Sequence, residues 1–391
     1  MISLREFWNS SELFDSLFKN GGASSETDSP AFLKGQFMFS DKFIKASDDY
    51  STYIHFVSAP YFRKNFEIKK SVKKCVLTIT GLGFYDAYIN GKKITKGILA
   101  PYISNPDDIV YYDEYDITPF ISGGKNVLGI HLGNGMLNCI GGGIWDFDEA
   151  LYRSAPQMAF SIETEYTDGS FFAVEADENV KTAPSPVIFD DLRCGCFYDA
   201  RSEIDGWADI DFDDSNWKNA LRAMPTRGEK RLCTAEAIKP QRIIKPVKIR
   251  KCILKDYHPR GDVPKEYKVF PSKEHEGFLY DFGINTAGTV RLKIKGERGR
   301  QIDLQFGEYY APDGEPDTSN ICFCPDGYSQ RDIYILKGEG EEEFEPVFTY
   351  HGFRYCVVLG ITEEEATNDL LEFIVYNSDI KELGSFSCSD D

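Results

Sequence analysis

Segments in which apolar and polar residues alternate recur along most of this chain, and residues that favour turns follow them. Residues 84–89 alternate in this way and run into Asn90 and Gly91, a pair that tolerates the positive φ angles of a tight hairpin. Residues 158–166 also alternate and end at a Thr-Asp-Gly turn. Parallel sheets would need helical crossovers between such strands, and the pattern does not predict them. The chain is therefore predicted to be mainly β, folded into antiparallel sandwiches.

The same pattern divides the chain into regions. Apolar residues recur at helical spacing over residues 3–19, so residues 1–30 are predicted to form a short N-terminal helix and a linker. A first β-sandwich is predicted for residues 31–238 and a second for residues 239–378, because strand patterns resume after residue 239. Residues 379–391 are predicted to be a further linker.

The composition narrows the classes of function. Hydrophobic residues make up 42% of the chain, which excludes a disordered protein. The formal charge of −19 argues against nucleic acid and anionic membranes as partners, because both need clustered Lys and Arg. The start of the chain lacks an apolar signal sequence and no run is long enough to span a bilayer, so a cytoplasmic protein is expected. The ten cysteines lack paired Cys-x2-Cys hooks, so free thiols are expected rather than a zinc site.

Several motifs follow one another in a specific order. The most informative lie in the second predicted sandwich, at residues 280–291, 305–314 and 348–355. In the first predicted sandwich, residues 81–91 and 198–207 carry two more. In this order the motifs resemble those of the N-terminal region of bacterial α-L-rhamnosidases of the glycoside hydrolase family 78 type.

The resemblance implies a fold and a division of labour. It implies two jelly-roll sandwiches, the first galactose-binding-like and the second concanavalin-like, ahead of a catalytic (α/α)6 barrel. The pattern does not predict paired helices, so the resemblance assigns no catalytic residue to this chain, and residues 379–391 are interpreted as a linker toward a missing C-terminal catalytic domain. The full-length protein is expected to hydrolyse terminal α-L-rhamnose by inversion, with a rhamnose-containing glycan or glycoside as its carbohydrate partner.

Three residues could suggest catalysis within the sandwiches. Asp281 is interpreted as a turn residue whose carboxylate accepts backbone N–H groups, because Gly283 follows it closely. Glu308 lies at a predicted strand end, and His351 has no acidic partner at a recognisable spacing, so both are interpreted as structural. A complete hydrolase with its site on a sandwich face is the least favoured hypothesis, because it needs a pair of opposed carboxylates.

Two predicted loops carry the amide, carboxylate and aromatic groups that bind sugars. The candidate carbohydrate-binding residues are Asn105, Asp107 and Asp108 in one loop and Asn134, Asn138, Trp145 and Asp146 in the other. No cofactor is required, but some rhamnosidases carry a calcium-dependent rhamnose-binding module, and Asp107, Asp146 and Asp148 are the candidate calcium ligands. The opposing interpretation is a flexible glycine loop at 141–143 with Trp145 packed on the sandwich. A free-standing carbohydrate-binding protein, with or without calcium, therefore remains an alternative hypothesis.

Overall fold

The computed structural model describes residues 41–52, 55–139, 153–255, 274–321 and 330–389. The predicted N-terminal helix and linker, residues 1–30, lie outside the described residues, as do Trp145, Asp146 and Asp148. The described chain is mainly β, which confirms the predicted fold class. Short 3-10 turns occur at Thr118–Phe120, Ala200–Ser202 and Ser319–Ile321. Within the described ranges, no helix combines the length and apolar character that a bilayer span requires.

The first sandwich is formed by facing sheets. One sheet has the order β14 (Leu221–Arg222), β1 (Ile44–Lys45), β8 (Gln157–Tyr166), β3 (Val72–Leu82), β6 (Ile109–Asp116) and β15 (Glu229–Leu232), and β9 (Phe171–Glu175) also pairs with β8. The facing sheet has the order β13 (Lys218–Asn219), β10 (Lys181–Pro184), β2 (Pro60–Ile68), β7 (Gly124–Leu132), β4 (Tyr85–Ile89) and β5 (Lys92–Lys93).

The core of this sandwich lies between its sheets. Alternate residues of β3, such as Leu77 and Ile79, are fully buried against Phe62 and Ile130 of the facing sheet. Alternation places every second side chain of a strand on one face, so the sequence pattern directs this set inward. Complete burial of each such side chain contributes about 1.5–3 kcal/mol. Both sheets are therefore held in place by their apolar faces.

In the described residues, the second sandwich is built on one larger sheet. Its strands follow the order β11 (Val187–Asp191), β12 (Gly195–Asp199), β22 (Arg331–Ile335), β19 (Gln301–Gly307), β24 (His351–Leu359), β18 (Glu274–Lys295), β25 (Leu371–Ser378) and β16 (Ile238–Ile244). Strands β17 (Lys248–Lys255) and β23 (Glu341–Phe344) also pair with β18, while β20 (Tyr309–Tyr310) and β21 (Pro316–Asp317) form a small separate ribbon. The long strand β18 pairs with β24 on both sides of a register shift between Asp281 and Thr286. Its first half also pairs with β17 and its second half with β25.

The hairpin β11–β12 connects the two halves of the chain. In sequence it lies between β10 and β13 of the first sandwich, but β12 pairs in parallel with β22, with Phe197 opposite Ile333 and Asp199 opposite Ile335. The predicted first sandwich, residues 31–238, therefore contains strands that hydrogen bond with the sheet of the second. The pairing of β15 with β6 is also parallel, whereas the predicted pattern was antiparallel throughout.

Candidate functional site

A cleft of about 590 Å³ opens at one end of the first sandwich. Its walls come from the end of β3, the start of β6, the turn after β7 and the segment after β14. The base is apolar, since Leu82, Val110 and Leu137 are buried there in one cluster with Phe43. The lining residues are Thr80, Gly81, Leu82, Gly83, Phe84, Pro101, Tyr102, Ile103, Ser104, Asn105, Pro106, Asp107, Val110, Tyr111, Met136, Leu137, Gln157, Pro225, Thr226 and Arg227.

The rim of the cleft is a loop that holds its own shape. The backbone N–H of Asp107 donates to Asn105 Oδ1 at 3.1 Å, and Asn105 Nδ2 donates to Asp108 Oδ2 at 2.8 Å. Ser104 Oγ donates to the carbonyl of Ile109 at 2.7 Å. Such local side-chain bonds are the reason that Asn and Asp favour turns. Of the three residues predicted in this loop, Asn105 and Asp107 line the cleft, while Asp108 does not and instead accepts the hydrogen bond from Asn105.

An exposed aromatic ring stands beside this loop. Tyr102 is 60% exposed, and its ring meets that of Tyr111 edge to face with 6.0 Å between centroids. An exposed tyrosine held by a second ring offers an apolar face with a polar tip, which suits the C–H face of a sugar. Neither tyrosine was among the predicted site residues, although Tyr102 opens the predicted loop.

Two polar atoms of the cleft lining lack partners. Gln157 Oε1 and Thr226 Oγ1 are buried, and neither has a hydrogen-bond partner in the part of the chain that the structure describes. The amide nitrogen of Gln157 does donate, to Ser154 Oγ at 3.3 Å. A buried polar atom without a partner costs about 1–3 kcal/mol, so such atoms are normally satisfied by water or by a ligand. Sequence reasoning missed both residues, because nothing local marks a lone glutamine or threonine as a binding group.

Asn134 and Asn138 do not line the cleft and instead belong to a buried network with Asp190 of β11. They are 3% and 1% exposed. The backbone N–H of Asn134 donates to Asp190 Oδ2 at 2.7 Å, and its Nδ2 donates to the Asp190 carbonyl at 2.9 Å. Asn138 Nδ2 in turn donates to Asn134 Oδ1 at 2.9 Å. These amides tie the turn after β7 to the hairpin that joins both sandwiches, and their part in carbohydrate binding stays a prediction.

Burial changes the pKa of Asp190, the acid in this network. It raises the pKa of Asp190 to about 8, and the neighbouring charge of Asp191 adds to the shift while the backbone N–H of Asn134 opposes it. Asp190 therefore favours its neutral form in the folded protein. Asp190 is buried where the turn after β7 contacts the hairpin β11–β12, not on an open surface.

Comparison with known proteins matches both halves of the described fold. The family model "Alpha-L-rhamnosidase N-terminal domain" matches residues 70–243, and the "Bacterial alpha-L-rhamnosidase concanavalin-like domain" matches residues 272–376. An α-L-rhamnosidase of Formosa agariphila is 33% identical over 339 residues, which cover 85% of this chain and 33% of that protein. The chain belongs to the α-L-rhamnosidase family. The resemblance seen in the sequence is thereby confirmed.

Solved structures of the rhamnosidase family agree. An α-L-rhamnosidase from Dictyoglumus thermophilum superposes with a TM-score of 0.73 at 32% identity, over 89% of this chain and 37% of that one. A Streptomyces avermitilis α-L-rhamnosidase, solved in complex with L-rhamnose, superposes with a TM-score of 0.70 at 28% identity, over 82% of this chain and 29% of that one. The chain thus spans about a third of the length of the curated relatives that it matches. All residues that line the cleft fall inside the matched N-terminal domain.

The structure gives the calcium prediction only one described ligand. Asp107 is exposed at the cleft rim, whereas Asp146 and Asp148 lie outside the described residues. In the ranges that are described, no group of three or more His, Cys, Asp or Glu side chains is arranged to hold a metal ion. A single carboxylate is a poor site for calcium, which takes six to eight oxygen ligands. Calcium binding therefore stays a prediction that depends on the second loop.

The residues interpreted as structural have structural contacts. Asp281 accepts the backbone N–H of Gly283 at 2.7 Å, which confirms its role as a turn acceptor, and it also pairs with Arg354. Glu308 accepts hydrogen bonds from the side-chain amides of Asn285 and Asn320, at 3.0 and 2.9 Å.

His351 is structural, as the sequence indicated, and it has an acidic partner that lies on another strand. Its Nε2 lies 3.0 Å from Asp332 Oδ2, and both side chains are fully buried. The two residues belong to different strands, β24 and β22, which lie on either side of β19 in the sheet. Local spacing cannot reveal such a pair. Since neither side chain reaches solvent, the pair stabilises the core of the second sandwich and cannot act on a sugar.

Proposed function

We propose that this chain is the non-catalytic N-terminal portion of an α-L-rhamnosidase-like glycoside hydrolase. The full-length protein would remove terminal α-L-rhamnose from glycans or glycosides with inversion. The observation that carries this proposal is that the chain matches the N-terminal and concanavalin-like domains of the family while spanning about a third of its relatives' length. Its partner would be the C-terminal catalytic domain, which the two sandwiches would support.

The carboxylates of the cleft support a non-catalytic role. Inverting glycosidases need two carboxyl groups about 6.5–9.5 Å apart, on opposite sides of the sugar. Among the described residues that line the cleft, Asp107 supplies the only carboxylate. Acids in the second sandwich such as Asp303 and Asp332 are fully buried and are not part of the cleft lining. Hydrolysis would therefore depend on groups outside the cleft.

We further propose that the cleft binds the carbohydrate. Its volume lies within the range of about 300–1,000 Å³ typical of ligand sites. Tyr102 would stack on the sugar ring, while Gln157 Oε1 would accept from one hydroxyl group and Thr226 Oγ1 would exchange a hydrogen bond with another. A Streptomyces avermitilis relative was solved with L-rhamnose, so a rhamnose-containing glycan is the ligand that we propose here.

Two measurements test this function. Purified chain incubated with an aryl α-L-rhamnoside is expected to release no aryl product, and measurable turnover would overturn the non-catalytic role. Calorimetric titration with L-rhamnose, with and without calcium, is expected to show binding. Thr226→Val keeps the side-chain volume but removes the hydroxyl group, and it should weaken binding about ten-fold. Thr167→Val, in the exposed turn after β8, is the matched control and should change nothing.

The alternative is a free-standing carbohydrate-binding protein, with or without calcium. The aromatic and polar groups that residues 102–107 bring to the cleft favour it. An immunoblot of the native host distinguishes the two. A band of a polypeptide about three times as long supports the rhamnosidase portion, whereas a band at the length of this chain supports the free-standing protein. The same blot on separated cell fractions tests the expected cytoplasmic location.

A further inference from the structure

A second pocket lies next to the cleft, with Tyr102 between them. It has a volume of about 320 Å³ and shares Pro101 and Tyr102 with the cleft. One long loop before β6 walls both, because residues 96–102 line the second pocket and residues 101–107 line the cleft. The opposite wall of the second pocket is the segment 233–239, which leads into β16. Both hollows therefore open on either side of one exposed aromatic ring.

Strand β6 forms a floor that runs from one hollow to the other. Tyr111 lines the cleft, and Asp113 and Tyr115 line the second pocket. Alternate residues of a strand point to one face and lie about 7 Å apart, since a strand rises about 3.3 Å per residue. That spacing is comparable to one sugar unit along a chain. Successive polar side chains of β6 are thus placed to meet successive units of one saccharide.

The floor of the second pocket is polar and ordered. The hydroxyl group of the buried Tyr85 donates to Asp113 Oδ2 at 2.6 Å and lies 3.1 Å from the Tyr115 hydroxyl group. Tyr85 engages one of the two carboxylate oxygens of Asp113. Carboxylates and phenols held in this way can accept from and donate to the hydroxyl groups of a neutral sugar.

The mouth of the second pocket carries both signs of charge. The ammonium group of Lys96 lies over the Tyr115 ring at 5.2 Å and donates to the carbonyl of Glu114 at 3.2 Å. Glu236 and Lys239 stand on the opposite wall. Mixed charges with a carboxylate floor disfavour a strongly charged ligand of either sign. A neutral polyhydroxylated ligand is the class that matches this lining.

We propose that the second pocket is a subsite for the next unit of a saccharide whose first unit occupies the cleft. This inference rests on the proposed carbohydrate function of the cleft. It specifies the ligand class as a neutral saccharide of at least two units, with Tyr102 between them. Asp113 and Tyr115 would contact the second unit, and Gln157 and Thr226 the first.

Calorimetry with two sugars tests the subsite. The wild-type chain is titrated with L-rhamnose and with rutinose, the disaccharide of rhamnose and glucose. The disaccharide is expected to bind about ten-fold more tightly, which corresponds to about 1.4 kcal/mol, or one additional net hydrogen bond. Ala235→Trp introduces an indole on the exposed wall of the second pocket and should abolish this ten-fold advantage without changing the affinity for L-rhamnose. Ala173→Trp, at an exposed position of β9, is the matched control.

A second variant shows whether a lost affinity comes from the pocket itself or from a defect in the fold. Asp113→Asn keeps an acceptor for the Tyr85 hydroxyl group, so the fold should persist while the affinity for the disaccharide falls. Equal affinities of the wild-type chain for both sugars would overturn the second subsite but leave the cleft proposal standing. The second subsite is also overturned, and the cleft proposal still stands, if Ala235→Trp weakens the binding of both sugars equally or of neither. If neither sugar binds, the proposed carbohydrate function itself fails, and the subsite with it.

Discussion

The ion pair of Asp303 and Arg331 allows a quantitative test of what holds the second sandwich together. Both side chains are 0% exposed. Arg331 Nε donates to Asp303 Oδ1 at 2.8 Å, and Nη2 donates to Oδ2, so the guanidinium group meets the carboxylate with two parallel bonds. Asp303→Asn leaves one acceptor and removes the negative charge. The guanidinium group then stays buried and loses its charged bidentate partner.

The expected loss follows from that burial. Removing one partner of a buried pair costs about 3–5 kcal/mol, because the remaining charge is uncompensated. Asp369→Asn is the matched control, since Asp369 pairs with Lys245 but its side chain is 92% exposed. A surface pair contributes only about 0–1 kcal/mol. The two substitutions make the same chemical change and should differ by at least about 2 kcal/mol.

The assay must report on the second sandwich. All four tryptophans lie at or before Trp217, so tryptophan fluorescence would follow other parts of the chain. Urea unfolding followed by far-ultraviolet circular dichroism detects the strands of both sandwiches, including those of the second. A double variant, Asp303→Leu with Arg331→Met, removes both charges and should recover much of the loss. A loss below about 1 kcal/mol for Asp303→Asn, or a double variant as unstable as the single one, would refute the reasoning.

Three further predictions concern other buried groups. The pKa of Asp190 is raised to about 8, so the folded state holds a proton that the unfolded state loses near pH 4. The free energy of unfolding should therefore fall as the pH rises from about 4 to about 8. Asp190→Asn should flatten that pH dependence in urea titrations carried out at a series of pH values. Burial lowers the pKa of His131 to about 3. The stability that the neutral ring contributes to the folded state is therefore present above pH 6.5 and is lost as the pH falls toward 3. His131→Gln should make the free energy of unfolding less sensitive to acid in the same titrations. Arg63, fully buried, donates to Asp214 and to the carbonyl of Asp209, both at 3.1 Å; Arg63→Met should cost about 3 kcal/mol in thermal or urea unfolding, and an unchanged midpoint would contradict the role of this anchor.

Local chemistry made much of the fold predictable. Asn90 and Gly91 were expected to form a tight turn, and both have positive φ angles, 51° and 80°, between β4 and β5. The loop around Asn105 was expected to carry polar groups to a site, and it forms the cleft rim. In each case the signal lies within a few residues of the structure that it specifies. Turn geometry and strand alternation are properties of such short segments.

The rest depends on contacts between distant parts of the chain. Alternation tells which face of a strand is buried but not which strand is its neighbour, so the parallel pairing of β12 with β22 was not predicted. Gln157 and Thr226 both line the cleft although they are far apart in sequence, and neither stands in a motif. The pairing of His351 with Asp332 arises in the same way, across an intervening strand.

The hairpin β11–β12 also determines where the polypeptide can be cut. A fragment that starts at residue 239 would lack the partner of β22 and would expose a row of unpaired backbone groups along that strand. An uncovered strand edge of this kind recruits other chains, so such a fragment should aggregate. A fragment that stops at residue 238 would keep the hairpin but deprive it of the sheet against which β12 pairs. No single break separates the two sandwiches, because β13, β14 and β15 of the first sandwich follow the hairpin in sequence.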